Sequence, residues 1–254
     1  MSMRITVGDV EFDDVTMQEA ADRMVEMASR RDKPRFVCTG NLDHLELLSR
    51  DAEFVDAYRA ADLVLADGAP VVWLSRLGSS GKRLRERVAG SDLFWELARR
   101  SEESGVRLFF LGGAPGAAER ASDAVRKRYP LTMICGSYCP PYETFATEEE
   151  QSRIREIVHE ANPDILLVAF GAPKQEKWIC KNKDLLGVPV SIGVGGTLEM
   201  AAGIVRRAPV WMRRSGLEWS FRFLQEPSRL FQRYFVRDLP FLISTIYRSL
   251  TGRA

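Results

Sequence analysis

Six short apolar runs break off, one after another, into loops rich in glycine, asparagine, aspartate or proline. They are RFVCT (35–39), DLVLAD (62–67), VRLFFLGG (106–113), LTMICGSY (131–138), DILLVAF (164–170) and the start of PVSIGVGGTLEM (189–200). The apolar residues stand at consecutive rather than alternate positions, the pattern of strands covered on both faces. Helix signals lie between the runs. Thr16 with Glu19 makes a capping box for a helix through about Ser29, and Thr147 with Glu150 caps another through His159. Pro115 falls near the first turn of a third. Strands alternating with helices require right-handed crossovers, and so a parallel sheet. RITVGDVEFDDV (4–15) reads as a hairpin ahead of it. Residues 1–203 are therefore expected to form a Rossmann-like α/β domain, a mostly parallel sheet with helices on both faces. From about Gly203 the spacing turns helical and rich in arginine and aromatics, so residues 204–254 read as a helical appendage. The body is expected to fold without it.

Charge sharpens that boundary. Residues 204–254 hold ten arginines, no lysine and three acids, 10 − 3 = +7; the whole chain is +1, which leaves −6 for residues 1–203. An acidic body with a basic tail calls for an anionic partner for the tail. Arginine interleaved with tryptophan and phenylalanine at helical spacing describes a segment lying in a membrane interface. The alternative is that the aromatics pack on the core and the arginines face water. No apolar run approaches the roughly 18 residues that span a bilayer, and the N-terminus carries no apolar leader. Cys38, Cys135, Cys139 and Cys180 form no CxxC, and His44 and His159 are the two histidines. These spacings disfavour a zinc site and suit reduced thiols in a cytoplasmic protein. No nucleic-acid partner is expected, and homo-oligomerisation stays open.

In a parallel sheet the strand ends share one edge, and open α/β sheets bind ligands there. That edge would bring Thr39, Asn41, Asp67 and Gln175 around one crevice. Asp67-Gly68 is also ordinary turn chemistry, so Asp67 is either a turn residue or a reactive carboxylate. Gly193, Gly195, Gly196 and Thr197 open a helix. They either let backbone N–H groups hold a phosphate or make a tight turn. Gly171, Lys174 and Glu176 flank another helix start, as ligand contacts or as a solvated first turn. Tyr138 either stacks on a base or belongs to a loop stiffened by Pro140 and Pro141. Arg87, in RERVAGSDL, suits a phosphate or sugar oxygen, or is a surface cation. Neither GxGxxG nor GxxxxGK[ST] occurs, which argues against a dinucleotide enzyme or an NTPase. Asp-x-Asp is absent too.

TGN, ADG, RVAGSDL, FGAPKQEKW, GVGGTLEMAAG and RRAPVWMRRSGLEWSFRFLQEPSR, in this order, resemble the WecG/TagA/CpsF glycosyltransferases, glycosyltransferase family 26, from about residue 5 to 235. The resemblance implies an inverting, metal-independent enzyme of bacterial surface-polysaccharide synthesis that needs no cofactor. Such enzymes move N-acetylmannosamine, its uronic acid or glucose from a UDP-sugar to a polyprenyl-pyrophosphate-linked saccharide. Asp67 matches the family's catalytic base, Thr39 and Asn41 its substrate-pocket positions, and Arg87 and Gln175 further motif positions. Where many members read Phe-Asp-Phe, this chain has Leu198, Glu199 and Met200. An acceptor that stays in the bilayer implies a peripheral enzyme on the inner face of the cell membrane. Arg206, Arg207, Arg213, Arg214 and Arg222 would then meet lipid or the acceptor's pyrophosphate. Two other readings compete: a nucleotide-dependent oxidoreductase on the same fold, and a non-catalytic membrane-associated assembly scaffold.

Overall fold

The computed structural model describes residues 3–77 and 81–251, without the side chains of Arg214 and Leu250. A hairpin of β1 (Arg4–Val7) and β2 (Val10–Asp13) leads into α1 (Met17–Arg30). Then come β3 (Arg35–Gly40), α2 (Leu42–Leu48), α3 (Ala52–Arg59), β4 (Leu63–Ala66), α4 (Ala69–Leu74) and α5 (Gly90–Ser104). The second half runs β5 (Leu108–Gly112), α6 (Ala117–Arg128), β6 (Ile134–Tyr138), α7 (Glu148–Ala161), β7 (Ile165–Ala169), α8 (Lys174–Leu186), β8 (Val190–Gly193) and α9 (Thr197–Ala201).

The six strands β3 to β8 form one sheet in the order β4-β3-β8-β7-β5-β6, and its five pairings are all parallel. Alternation along each strand divides two cores. Phe36, Cys38, Val64, Phe109, Leu166 and Val168 face α2, α3, α7 and α8. Val37, Leu63, Leu65, Phe110, Leu167 and Ile192 face α1, α5 and α6. Each large side chain buried this way contributes about 1.5–3 kcal/mol, which is why the strands read as unbroken apolar runs. The α1 capping box acts as expected: Thr16 Oγ1 accepts from the Glu19 N–H, and Glu19 Oε2 accepts from the Thr16 N–H; at α7, Thr147 Oγ1 accepts from the Glu150 N–H at 3.2 Å.

The element ends differ in places. The β6 strand opens at Ile134 rather than Leu131, because Leu131 and Met133 lie exposed before the edge strand. The β5 strand opens at Leu108 rather than Val106. Pro115 lies beside the first turn of α6 as expected, just ahead of the N-cap Gly116 at φ +76°.

The tail folds as α10 (Val210–Arg214), α11 (Glu218–Gln225), α12 (Pro227–Phe231), a π-helical turn (Gln232–Asp238) and α13 (Leu239–Thr251). Its aromatics and aliphatics divide between protein and exposed surface. Phe241, Leu242 and Ile246 pack against the first core, and Leu230 and Thr245 are buried. Trp211, Trp219, Leu224, Phe231, Ile243 and Tyr247 remain exposed. Arg233 and Arg237 reach the buried carboxylate of Asp43 on α2, at 3.2 and 3.7 Å. The body is thus not indifferent to its tail: a chain cut at Gly203 would uncover apolar core surface and strip Asp43 of its cations. Among the described residues no helix is long and apolar enough to cross a membrane.

Candidate active site

The carboxyl ends of β3, β4 and β8 meet at one point. Asp67 follows β4 directly, and its N–H donates to the Gly40 carbonyl at the end of β3. Its Oδ2 accepts from the Gly90 N–H at 3.3 Å. A Cβ placed on Gly90 would lie 3.6 Å from Thr39 Oγ1 and 3.7 Å from Asp67 Oδ2, so these three residues share one small space. Gly68 leaves Asp67 at φ +119°, a conformation that favours glycine. Burial pushes the Asp67 carboxyl up to about 6, while Arg87, the Gly90 N–H and Arg222 hold it down.

Thr39 is buried and donates to the Gly193 carbonyl at 3.0 Å. Asn41 caps α2, its Oδ1 accepting from the His44 N–H at 3.1 Å. Its Cβ lies 3.8 Å from where one on Gly68 would stand. The sheet therefore gathers Thr39, Asn41 and Asp67 as the sequence implied.

Gln175 is close by, in a different job. Its Oε1 accepts from the N–H groups of Gly171 at 3.1 Å and Gly195 at 3.0 Å. Its Nε2 donates to Glu176 Oε1 at 2.7 Å. The Gly195 N–H is thereby taken, and Thr197 donates both N–H and Oγ1 to the Val194 carbonyl. The glycine-rich turn is closed largely on itself, not an open row of phosphate donors. Glu176 is wholly buried, so it is no solvated first-turn acid; burial pushes its carboxyl up to about 7.

Gly193 is fixed by this packing. A Cβ there would fall 2.6 Å from Gln175 Nε2 and 2.9 Å from Glu176 Oε1. Gly193→Ala is expected to cost about 1–3 kcal/mol through overpacking, which for a chain of this size lowers the melting temperature by roughly 2–4 °C per kcal/mol. An unchanged melting temperature would show that Gln175 swings clear without loss.

Two candidates lie elsewhere. The Tyr138 hydroxyl donates to Glu150 Oε1 at 2.7 Å, on the opposite edge strand of the sheet from β4. The Lys174 ammonium sits 3.5 Å from the centre of the Phe145 ring, with Tyr142 and Phe170 within 6 Å. Both side chains secure the loop after β6.

The cations near Asp67 are mostly paired. Arg87 bonds Glu218 at 3.0 Å and Asp92 at 3.4 Å. Arg207 reaches Asp92 at 2.7 Å and Glu218 at 3.3 Å, and Arg213 reaches Asp92 at 3.1 Å. Three guanidiniums thus surround two carboxylates and tie the tail to the body, a local surplus of one positive charge. Arg206 is exposed, and the Arg214 side chain lies outside the described residues. Arg222 reaches the glycine turn, with Nη2 3.8 Å from the Cβ position of Gly196. Its Nε is buried without a partner, as is Glu199 Oε2, while Glu199 Oε1 accepts from the Ala114 N–H at 3.0 Å. Asp92, Glu218 and this use of Glu199 were missed from sequence. Only the acid kept at position 199 of the altered triplet signalled any of them. Among the described residues no three His, Cys, Asp or Glu side chains gather as a metal site.

A family profile described as "Glycosyl transferase WecG/TagA/CpsF family" matches residues 5–254. An N-acetylglucosaminyldiphosphoundecaprenol N-acetyl-beta-D-mannosaminyltransferase of Bacillus subtilis is 34% identical over 180 residues, 71% of this chain and 67% of its own. The Bacillus spizizenii protein of the same description is 29% identical, over 88% of this chain and 84% of its own. One from Staphylococcus aureus (strain MW2) is 28% identical, over 89% and 87%.

Proposed function

The chain belongs to the WecG/TagA/CpsF glycosyl transferase family, and from that premise we propose that it transfers N-acetylmannosamine from a UDP-sugar to a polyprenyl-pyrophosphate-linked N-acetylglucosamine. The observation that carries this reading is the Asp67 carboxylate, set at a strand exit with its charge balanced between burial and the arginines around it. The relatives' descriptions name the same transferred sugar and an N-acetylglucosaminyldiphosphoundecaprenol acceptor, and Asp67 is proposed to serve the acceptor hydroxyl as its base.

An inverting transfer is one in-line displacement. The acceptor oxygen forms its bond to the anomeric carbon as the bond from that carbon to the UDP oxygen breaks. The acceptor proton goes to Asp67, and the bonding pair leaves with UDP. A hydroxyl is far too weak an acid to lose its proton unaided near neutrality, so a positioned carboxylate contributes typically 10²–10⁴-fold. The departing diphosphate gains negative charge. The surplus cation among Arg87, Arg207 and Arg213, together with Arg222, is proposed to offset that charge. Thr39 and Asn41 are proposed to line the substrate pocket, and Gln175 keeps the glycine turn in shape.

The protein is proposed to work at the inner face of the cell membrane, held there by the exposed aromatics and arginines of its tail. The direct test mixes purified protein, UDP-N-acetylmannosamine and a short-chain polyprenyl-pyrophosphate N-acetylglucosamine, with product read by mass. The expected product is the lipid-linked disaccharide. Binding of both substrates with no turnover would favour the scaffold reading and end this one.

Arginines, not a divalent cation, are proposed to offset the leaving group's charge. Turnover is therefore expected to persist in excess EDTA. Loss of turnover in EDTA, restored by magnesium or manganese, would overturn that part of the mechanism.

A further inference from the structure

The body, and not only the tail, carries exposed tryptophan. Trp73 on α4 is 49% exposed, and Leu77, four residues on, is 37% exposed. Val71, Val72 and Leu74 of the same helix are buried and anchor it in the core. The tail leans on this helix: a Cβ on Gly216, in the turn between α10 and α11, would lie 3.0 Å from both Ala69 Cβ and Trp73 Cζ2. Trp211 and Trp219, 64% and 44% exposed, stand on the two helices that flank that turn. Exposed tryptophan thus occurs at the body–tail contact and on both helices that flank the turn there, while Trp178 is buried.

Tryptophan left in water forgoes a large burial gain. Its ring with one polar N–H is at home at headgroup depth in a bilayer. The segment's own charges have one sign: residues 69–85 contain Arg76, Lys82, Arg83 and Arg85 and no acid. Arg85 is tied to Asp14 and Glu19, but Arg76 and Arg83 are exposed. A second copy of this chain would bring the same cations against themselves, whereas anionic headgroups complement them.

We propose that α4, with Trp73 and Leu77, is a second membrane-contacting element that enters an anionic bilayer interface beside the tail. This rests on the reading of the tail as a membrane element and adds a fixed orientation to it. Only Gly68 separates Asp67 from α4, so contact through α4 sets the base close to the bilayer surface, where a lipid-linked acceptor presents its sugar.

The test uses the full chain and vesicles of phosphatidylcholine with phosphatidylglycerol at low salt, with binding read by co-sedimentation. Trp73→Ala with Leu77→Ser is expected to weaken partition about five- to tenfold, with the melting temperature and UDP binding kept. Leu77→Glu guards against a folding defect. It should weaken binding more on anionic than on neutral vesicles. Trp73→Phe should remove part of the fluorescence quenched by brominated lipid. If Trp211→Ala with Trp219→Ala weakens partition while the α4 variants do not, this inference is overturned and the tail reading stands. If neither set weakens partition, both are overturned. An α4 variant that changes the sedimentation coefficient in solution but not vesicle binding would mean that a second copy covers the patch, and the inference fails.

Discussion

Asp67→Asn is expected to lower turnover by about 10²–10⁴-fold, the usual worth of a positioned proton acceptor, while UDP affinity stays near that of the parent. Asparagine keeps the shape of the side chain, and its amide oxygen can still accept from the Gly90 N–H that now meets Oδ2. What it cannot do is take a proton. The pH profile should separate this role from a merely orienting one. Burial raises the Asp67 carboxyl to about 6, and only the ionised form is a base. Turnover should therefore climb as pH rises through about 6 and level off above it. The Asn variant should lack that limb. Removing Arg87, whose charge holds the carboxyl down, should move the limb to higher pH. Wild-type turnover in Asp67→Asn would remove Asp67 from the mechanism.

Arg222→Ala is expected to reduce transfer by about 10²–10³-fold, the cost of deleting one donor from a site where charge develops. Arg87, Arg207 and Arg213 each already bond a carboxylate. Arg222 reaches the glycine turn with its Nε buried and unpartnered, and an unpaired buried donor is costly unless a ligand completes it. Its charge also acts on Asp67, so loss of Arg222 should shift the pH limb slightly upward as well. Arg222→Lys keeps the charge but not the planar fork and should restore only part of the rate. The measurement is UDP release at saturating donor with the lipid-linked acceptor varied. A kcat/KM for acceptor within about twofold of the parent would exclude Arg222 from the pyrophosphate or leaving-group contact.

Much of this molecule was legible in its sequence, for a physical reason. Strand and helix patterns are set by interactions a few residues apart. Apolar runs such as DILLVAF mark strands covered on both faces, and Thr16 with Glu19 or Thr147 with Glu150 satisfies N–H groups one turn away. Parallel order then follows from crossover handedness, and with it the meeting of Thr39, Asn41 and Asp67 at one sheet edge. The tertiary structure alone decided what each polar group does once there. Gln175 and Glu176 look like a solvated first turn, yet docking of α8 on β8 buries both and turns Gln175 onto Gly171 and Gly195. The Arg87–Glu218 bond joins residues 131 positions apart. It exists because α11 docks at one place on the body, and no local pattern encodes that. The tail is the clearest case. Its periodicity announces an amphipathic segment, but a hydrophobic stripe does not say what covers it. Only the packed structure shows that Phe241, Leu242 and Ile246 face protein while Trp211 and Trp219 are left exposed. Burial of apolar area is non-directional, so the pattern fixes that a face must be covered, and long-range shape decides by what.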